Sequence, residues 1–422
     1  MSAADDLEPA RRIAPPDWMT DPATRRVVAA LAAEGARPRF VGGCVRDALL
    51  DHAAKDIDIA VPMRPEAAMQ LLRAAGLRVE PTGLDHGTVT AIADHRPFEV
   101  TSLRVDAETF GRHARVAFTA DWRADAARRD FTMNALYADA DGTIYDPVGG
   151  LADLDARKVR FIGDPHRRIA EDALRILRFF RFYARFDPGP PDEQAVAACA
   201  AAAGLIDGLS GERLRAECLA ILATDRAAEA LALMAGCGVA AALLGGAADT
   251  ARLAALVAAE RRHDCRPSAL RRLAAAKPAG VAAAGLGRRL RLSNREAGRL
   301  ECLAAPLPAE IAAAAAAPQG PAARHLLQSL GAETVADIVL LAEAAAALAD
   351  AGGLLAAARD WQPIPFPLRG ADLLVRGVAP GPAVGEMLQR LRHWWAAGDY
   401  RAGRGDCLAE LDRRVAQEAD RS

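Results

Sequence analysis

The chain has 422 residues, of which 52% are hydrophobic and 5% aromatic, and its formal net charge is -2. The length allows several domains. The near-neutral net charge gives no indication that the protein binds a partner such as a nucleic acid through its overall charge. The seven cysteines form no CxxC pair, so the composition excludes a disulfide framework and a cysteine-rich zinc site and indicates a reducing compartment.

The N-terminal segment and the apolar runs bear on location. The first twenty residues are acidic, contain proline and lack an apolar signal-peptide core, so we expect a mobile leader over residues 1–20. Charges interrupt every long apolar run, which argues against a membrane-spanning helix. We expect a cytoplasmic protein with no membrane association and no obligate protein partner.

The stretch FVGGCVRDALL, residues 40–50, predicts a phosphate site. An apolar pair typical of a short strand is followed by Gly42 and Gly43, and residues 44–50 favour a short helix. Glycines let a backbone approach a ligand closely, and the free N–H groups of a helix N-terminus favour an anion. Arg46, in the first turn of that helix, can add a guanidinium to the same anion.

The stretch KDIDIA, residues 55–60, alternates with the period of a strand. Asp56 and Asp58 should share one face of that strand, and two adjacent carboxylates repel unless a cation lies between them. Oxygen ligands of this kind suit Mg²⁺, which also binds substrate phosphates. The alternative is a polar edge strand beside a chance Gly-Gly, but the two patterns in this order favour two-metal phosphoryl or nucleotidyl transfer.

The next strand-like pieces offer a third carboxylate. Residues 97–103 predict a strand in which Glu99 lies opposite the apolar face. Glu99 is a candidate metal ligand, and an exposed strand glutamate is an equally good interpretation. Residues 104–123 show little periodicity and several charges, so we expect a flexible loop there.

The string RRDFTMNAL, residues 128–136, carries candidate nucleotide ligands. If it is helical, Asp130 and Asn134 are spaced i,i+4 and share a face. An acid and an amide together can hold the vicinal diol of a ribose, and Arg129 can reach a phosphate. The alternative is the start of a surface helix.

The string IAEDALRILRFFRFYARF, residues 169–186, predicts a helix rich in arginine. Asp172 and Arg175 are spaced i,i+3, and Arg178 and Arg181 continue the series. A carboxylate beside a guanidinium matches the amine and ring nitrogen of cytosine and adenine, and it leaves uracil and guanine with unpaired polar groups. A simple helix ion pair is the commoner use of this spacing.

Strand signals nearly vanish after residue 162, and Gly163-Asp164-Pro165 predicts a break. The fold class expected is α+β, with a small mixed sheet and helices followed by an all-α remainder. We place domains at residues 21–163, 164–240 and 241–422. His263-Asp264 is a lone HD dipeptide, from which we expect no hydrolase.

Four strings in this order resemble the class II tRNA nucleotidyltransferase and bacterial poly(A) polymerase family. They are FVGGCVRDALL with KDIDIA, FEVTSLRVD, RRDFTMNAL with DPVGGLADLDARKVRFIGD, and RIAEDALRILRFFRF. SGERLRAE, residues 210–217, resembles the family's next helical motif, and GADLLVRGVAPGPAVGEML resembles its tail. The resemblance implies a polymerase-β-like nucleotidyltransferase head, a helical neck that recognises the base, and a helical body and tail that bind RNA.

The resemblance also implies roles for the residues that match its motifs. Asp56 and Asp58 would hold Mg²⁺, and Gly43 and Arg46 would touch the triphosphate. Residues 146–153 would form a flexible element between head and neck.

Further roles concern the nucleotide. Arg129, Asp130 and Asn134 would hold its phosphate and ribose. Asp172 and Arg175 would template first CTP and then ATP. Arg178 and Arg181 would lie on the nucleotide's phosphates.

The substrate would be the tRNA 3′ end, extended by C, C and A from CTP and ATP. The full-length segment 104–123, which the family is thought to need for A addition, favours CCA or A addition over CC addition alone. Two alternatives stay open. One is a poly(A) polymerase, which shares the head, and the other is a non-catalytic RNA-binding relative, which would have no need of a metal pair.

Overall fold

The structure is a computed structural model, and it describes residues 7–54, 56–110, 113–186 and 189–419. The chain divides into two compact units, Met1–Ala248 and Asp249–Ser422. The first unit contains all the strands of the described residues, and the second contains helices only. The predicted α+β head followed by helical segments is confirmed. The predicted boundary near residue 163 lies inside the first unit and stays a prediction.

The first unit is built on one large sheet and a separate two-stranded hairpin. Its strands are β1 (Pro9–Arg12), β2 (Arg39–Val41), β3 (Asp58–Val61), β4 (Arg78–Gly83), β5 (Thr88–Ala93), β6 (Arg96–Ser102), β7 (Arg104–Phe110), β8 (His113–Phe118), β9 (Tyr137–Ala138) and β10 (Thr143–Tyr145). Its α-helices are α1 (Asp17–Thr20), α2 (Pro22–Leu31), α3 (Gly43–Leu49), α4 (Pro65–Ala74), α5 (Trp122–Ala127), α6 (Gly150–Asp155), α7 (Pro165–Glu171), α8 (Leu174–Arg185), α9 (Glu193–Ala201), α10 (Gly211–Leu222), α11 (Ala227–Gly236) and α12 (Val239–Leu244). Short 3₁₀ turns cover Leu84–His86, Thr132–Asn134 and Ala203–Gly208.

The sheet positions the residues that matter for chemistry. Its strand order is β1-β10-β9-β2-β3-β6-β5-β4, and β3 and β6 run parallel while the other neighbours are antiparallel. The parallel register places Asp58 directly opposite Glu99. Strand β5 shows why these segments pair, because its residues alternate between buried and half-buried positions, as a sheet packed on one face requires.

Two expectations about the head are corrected, and a third stays a prediction. Residues 9–12, expected in a mobile leader, pair with β10 in the sheet, and residues 1–6 lie outside the described chain. Segment 104–123, expected as a flexible loop, forms the β7–β8 hairpin and α5, although residues 111 and 112 are not described. Segment 146–153, expected as a flexible element, contains a turn in which Asp146 accepts the N–H groups of Gly150 and Leu151 at the start of α6, and its flexibility stays a prediction.

The string RRDFTMNAL is not an α-helix. Phe131 is extended, with φ -122° and ψ 146°, and only Thr132–Asn134 forms a 3₁₀ turn. The cause is tertiary, since Phe131 makes a β-bridge with Phe161 and its ring packs 4.8 Å from the Phe161 ring.

The predicted helix over residues 169–186 is broken at Asp172. Its backbone is extended, with φ -154° and ψ 106°, between α7 and α8. The Asp172 carboxylate accepts the N–H of Leu174, and this local side-chain bond competes with continuation of the helix.

The second unit packs short helices that are rich in alanine. They are α13 (Thr250–Arg262), α14 (Ala269–Ala276), α15 (Ala283–Arg289), α16 (Asn294–Ala304), α17 (Ile311–Ala316), α18 (Pro321–Leu330), α19 (Ala332–Ala344), α20 (Gly352–Arg359), α21 (Gly370–Val375), α22 (Pro382–Ala397) and α23 (Arg404–Ala419). Leu391, Trp395 and Leu411 belong to the buried apolar cluster of the last three helices.

One close backbone approach fixes the 3₁₀ turn that carries Asn134. A Cβ added to Gly150, at the start of α6, would lie 2.2 Å from the carbonyl oxygen of Thr132. We predict that Gly150→Ala lowers the free energy of unfolding by about 1–3 kcal/mol, because the turn or the helix must move. Gly298→Ala is the control, since Gly298 lies inside α16 with open space around it. Urea unfolding measures both, and a Gly150→Ala midpoint equal to that of Gly298→Ala would contradict the prediction.

Candidate active site

A glycine turn between β2 and α3 is the first element of the candidate site. Gly42 has φ +74°, a left-handed conformation that favours glycine. A Cβ at Gly42 would lie 3.7 Å from Nη1 of Arg129, and one at Gly43 would lie 3.7 Å from Nη2 of Arg46. The predicted Gly-Gly turn therefore exists, with one arginine close to each glycine.

The candidate metal ligands lie beside this turn. Asp58 and Glu99 face each other across β3 and β6, and their carboxyl groups are close enough for their charges to interact. Burial, followed by the repulsion of Glu99, raises the pKa of Asp58 to about 6, against an opposing effect of Arg129. Two acids held this close fit a hard divalent cation such as Mg²⁺, which would relieve their repulsion.

Asp56 is the exception to the predicted strand face. It lies before β3, which begins at Asp58, and it is exposed. Its charge still contributes to the raised pKa of Asp58, so the two carboxylates are close enough to interact.

Arg129 is held by a residue that sequence reasoning missed. Asp125, fully buried on α5, accepts from Nε and Nη2 of Arg129 at 3.1 and 2.9 Å. It also accepts from Arg128 Nε at 2.8 Å and from the Tyr137 hydroxyl at 2.7 Å. Arg128 and Arg129 follow Asp125 at the spacings i,i+3 and i,i+4, which bring side chains together on a helix. The sequence therefore contained a signal for these contacts.

Asp130 and Asn134 do meet, through the 3₁₀ turn and not through an α-helix. Asn134 Nδ2 donates to Asp130 Oδ1 at 3.2 Å. The other atom of the amide, Asn134 Oδ1, accepts from Arg46 Nη1 at 2.5 Å. Arg46, which is buried, also donates from Nη2 to Asp47 Oδ1 at 2.7 Å.

Helix α8 presents its arginines to these acids. Arg178 Nε donates to Asp130 Oδ2 at 2.7 Å, and Arg185 Nη2 donates to Asp47 Oδ2 at 2.9 Å. Arg181 Nε lies 3.0 Å from Glu217 Oε2 on α10, in an ion pair whose N–H is not aligned for a hydrogen bond. Burial raises the pKa of Glu217, although Arg181 and Arg178 oppose that shift.

Asp172 and Arg175 do not pair with each other. Asp172 binds Nη2 of Arg213 on α10 through both oxygens, at 2.9 and 2.7 Å. Arg175 Nη1 donates to Glu171 at 2.6 Å and to the carbonyl of Arg168 at 2.8 Å. The simple i,i+3 ion pair weighed above is therefore excluded, and Glu171 and Arg213 are further residues that the spacing argument missed.

The comparisons with known proteins agree with this architecture. Residues 38–160 match the family model described as the poly A polymerase head domain, and residues 191–249 match the one described as the probable RNA and SrmB-binding site of polymerase A. The chain is 34% identical over 394 residues to the mitochondrial CCA tRNA nucleotidyltransferase 1 of Mus musculus, an alignment that covers 90% of this chain and 88% of the relative. The chain belongs to the CCA tRNA nucleotidyltransferase family.

Other members of the family give the same assignment. The human mitochondrial CCA tRNA nucleotidyltransferase 1 is 32% identical over 387 residues, covering 89% of this chain and 86% of the relative. The crystal structure of the Bacillus stearothermophilus CCA-adding enzyme in complex with CTP superimposes with a TM-score of 0.74 at 28% identity, covering 95% of this chain and 100% of that one. The predicted family and enzyme class are confirmed.

A second group of possible metal ligands lies in the second unit of this nucleotidyltransferase. It contains His263, Glu343 and Asp350, and it does not include Asp264 of the HD dipeptide. The Glu343 carboxylate accepts from Arg262, from His263 at 2.9 Å and from the N–H of Ala351 at 2.9 Å. These contacts join Glu343 of α19 to the end of α13 and to the residue before α20.

The described residues include no single helix long and apolar enough to cross a membrane. One sharply bent pair, Pro321–Leu330 with Ala332–Ala344, meets the length and composition test only when its two helices are taken together.

The lowered pKa of Asp125 predicts how the free energy of unfolding depends on pH. Burial would raise the pKa of Asp125, but the charges of Arg129 and Arg128 and the donated hydrogen bonds lower it to about 2, from 3.8. The folded state then binds fewer protons than the unfolded state, so this stabilisation is complete above about pH 4 and is lost as pH falls toward 2.

We predict that Asp125→Asn removes about 2 kcal/mol of stability at pH 7 through this charge effect. The difference between wild type and variant should shrink as pH falls from 5 toward 3, in urea unfolding at each pH. A difference that stays constant across this range would assign the effect to packing instead.

Proposed function

We propose that this protein adds C, C and A to the 3′ end of tRNA from CTP and ATP, without a nucleic-acid template. The observation that carries the proposal is Arg129, which lies close to the Gly42 turn and whose charge also lowers the pKa of Asp58. The glycine turn proposed to bind phosphate and the carboxylate proposed to bind the cation are thus near the same arginine, and nucleotidyl transfer needs these two sites close together.

In the proposed reaction, the RNA 3′ oxygen bonds to the α-phosphorus of the incoming NTP, and the bond to the β-phosphate breaks to release pyrophosphate. Asp56 and Asp58 would hold Mg²⁺, with Glu99 as a third ligand. Bound Mg²⁺ would supply Lewis-acid stabilisation of the phosphoryl oxygens and of the attacking hydroxyl.

This chain's own residues orient the nucleotide. Gly42, Gly43, Arg46 and Arg129 would bind the triphosphate, since one arginine lies close to each glycine. Asp130 and Asn134 would grip the ribose hydroxyls, which selects NTP over dNTP. Arg178 and Arg181 would exchange part of their contact with Asp130 and Glu217 for the nucleotide's phosphates.

The base would be read at the start of α8. Asp172 would accept the exocyclic amine of C or A, and Arg175 would donate to the ring nitrogen. Uracil and guanine would place a carbonyl against the carboxylate, which costs about 1–3 kcal/mol, or roughly ten- to a hundredfold in selectivity.

The head is shared with poly(A) polymerases, and the match of residues 38–160 to a poly A polymerase head model makes that activity the second candidate.

We also propose a cytoplasmic location from the cysteine pattern. The mouse and human relatives are named as mitochondrial, so imaging of the tagged protein in its own cell tests this point.

The function is tested with tRNA lacking its last three, two or one nucleotides, each NTP supplied singly, and sequencing of the products. We expect two C additions from CTP alone, one A after CC, and no further growth. Long A tails on unrelated RNA 3′ ends would indicate a poly(A) polymerase. A wild-type protein that binds RNA but incorporates nothing would indicate a non-catalytic relative.

Metal dependence is tested in the same assay. We predict that Asp58→Asn or Asp56→Ala lowers kcat/KM about a hundredfold or more, because each removes charge that would hold the cation. Asp141→Asn is the control, since Asp141 is an exposed carboxylate that binds Arg12. Near-normal turnover of either active-site variant, with Mg²⁺ as the added metal, would refute the assignment.

Base selection is tested with Asp172→Ala and Arg213→Ala. Both break the same ion pair. If Asp172 reads the base, only Asp172→Ala should lower CTP and ATP use and raise the relative incorporation of UTP or GTP by about tenfold. kcat/KM for all four NTPs and the melting temperature are measured together. Equal stability loss in the two variants with unaltered selectivity would reduce Asp172 to a clamp between α8 and α10.

A further inference from the structure

We propose that Asp125 is a positioning residue that fixes the guanidinium of Arg129 toward the Gly42 turn and ties it to the base of the β7–β8 hairpin. This inference rests on the proposed function only for the phosphate that Arg129 would bind. Asp125 itself is fully enclosed by protein and has no contact with solvent.

The two carboxylate oxygens of Asp125 accept hydrogen bonds from different groups. Oδ2 accepts from Nε and Nη2 of Arg129 and from the Tyr137 hydroxyl. Oδ1 accepts from Arg128 Nε and, at 3.3 Å, from the backbone N–H of Arg104. One carboxylate therefore joins α5, β9 and the first residue of β7.

The orientation of Arg129 follows from which of its atoms are held. Asp125 binds the Nε and Nη2 edge, and the remaining Nη1 is the atom near Gly42. The guanidinium plane also lies over the Tyr137 ring, at 5.5 Å from its centroid. A planar group held along one edge and on one face has a single direction left for its third nitrogen, and that direction is the turn.

The link to the hairpin uses backbone atoms, so it does not depend on the hairpin's side chains. Leu103 O accepts the N–H of Thr119, which closes the hairpin base, and Arg104 N donates to Asp125. A shift of this base therefore moves the carboxylate that holds Arg129. The hairpin and the proposed phosphate ligand are coupled through one buried side chain.

The second unit offers a matched control. Asp337 is also buried and also accepts from two arginines, Arg271 at 2.7 Å and Arg299 at 2.5 Å. It belongs to the all-helical unit, and neither Arg271 nor Arg299 is proposed to bind the nucleotide. Loss of its charge should cost stability without changing nucleotide affinity.

The test is CTP binding by isothermal calorimetry with Mg²⁺ and no tRNA, so that no turnover occurs. Asp125→Asn places an amide donor against the guanidinium or the Tyr137 hydroxyl, and CTP should bind about tenfold more weakly. Asp337→Asn should bind CTP like wild type at a comparable loss of unfolding midpoint. The KM for CTP should rise in Asp125→Asn while the Kd for tRNA stays unchanged.

Hydrogen exchange gives a readout of the hairpin link. The peptide covering residues 103–119 should exchange faster in Asp125→Asn and at the wild-type rate in Asp337→Asn. Folded Asp125→Asn with wild-type CTP affinity would overturn the positioning role. Wild-type protein that binds no CTP would instead overturn the proposed function.

A milder variant decides the case if Asp125→Asn does not fold. Tyr137→Phe keeps the buried ring and removes one donor from Asp125, so CTP should bind about threefold more weakly. Tyr137→Phe with unchanged CTP affinity would then contradict the inference.

Discussion

Buried guanidinium groups must have acidic partners, and this constraint organises the first unit around α8. Arginine cannot shed its charge by deprotonation, so each buried arginine needs acceptors placed by the fold. The chain has only three lysines, which makes arginine the general cation of the protein. Asp47 meets this need for the buried Arg46. On α8, the half-buried Arg178 and Arg181 and the exposed Arg185 pair in turn with Asp130, Glu217 and Asp47.

These ion pairs hold the groups that we propose to bind the nucleotide in place before any ligand arrives. Arg46 lies between Asp47 and Asn134, and it is also covered by the Phe182 and Phe186 rings at 5.2 and 4.8 Å. A bound phosphate would add a further acceptor to groups that are already oriented. Preorganisation of this kind reduces the ordering that binding and catalysis must otherwise supply.

An aromatic cluster beneath the network explains why the head and α8 adopt this arrangement. Phe161 and Phe179 stack at 5.9 Å, and Phe131 contacts Phe182 at 5.3 Å. Burial of these rings draws the RRD segment out of helical geometry and against α8. The same packing therefore both bends the chain at Phe131 and brings Asp130 to Arg178.

The sequence by itself determined the local elements of the site: the glycine turn, the short helix after it, the strands that carry Asp58 and Glu99, and the arginine series of α8. Glycine placement, strand alternation and helical spacing are short-range properties that act within a few residues. It also supported the family, which the comparisons confirm.

Only the tertiary structure decided which charges pair. Spacing joined Asp172 to Arg175, whereas the fold gives Asp172 to Arg213 and Arg175 to Glu171. Sequence reasoning also missed the β7–β8 hairpin, since backbone hydrogen bonds pair its strands and leave little pattern in the side chains. Asp172 and Arg213 lie 41 residues apart, and Glu171 competes with Asp172 for Arg175 at the spacing i,i+4. The partner is therefore decided only when burial requires each charge and each backbone group to find one.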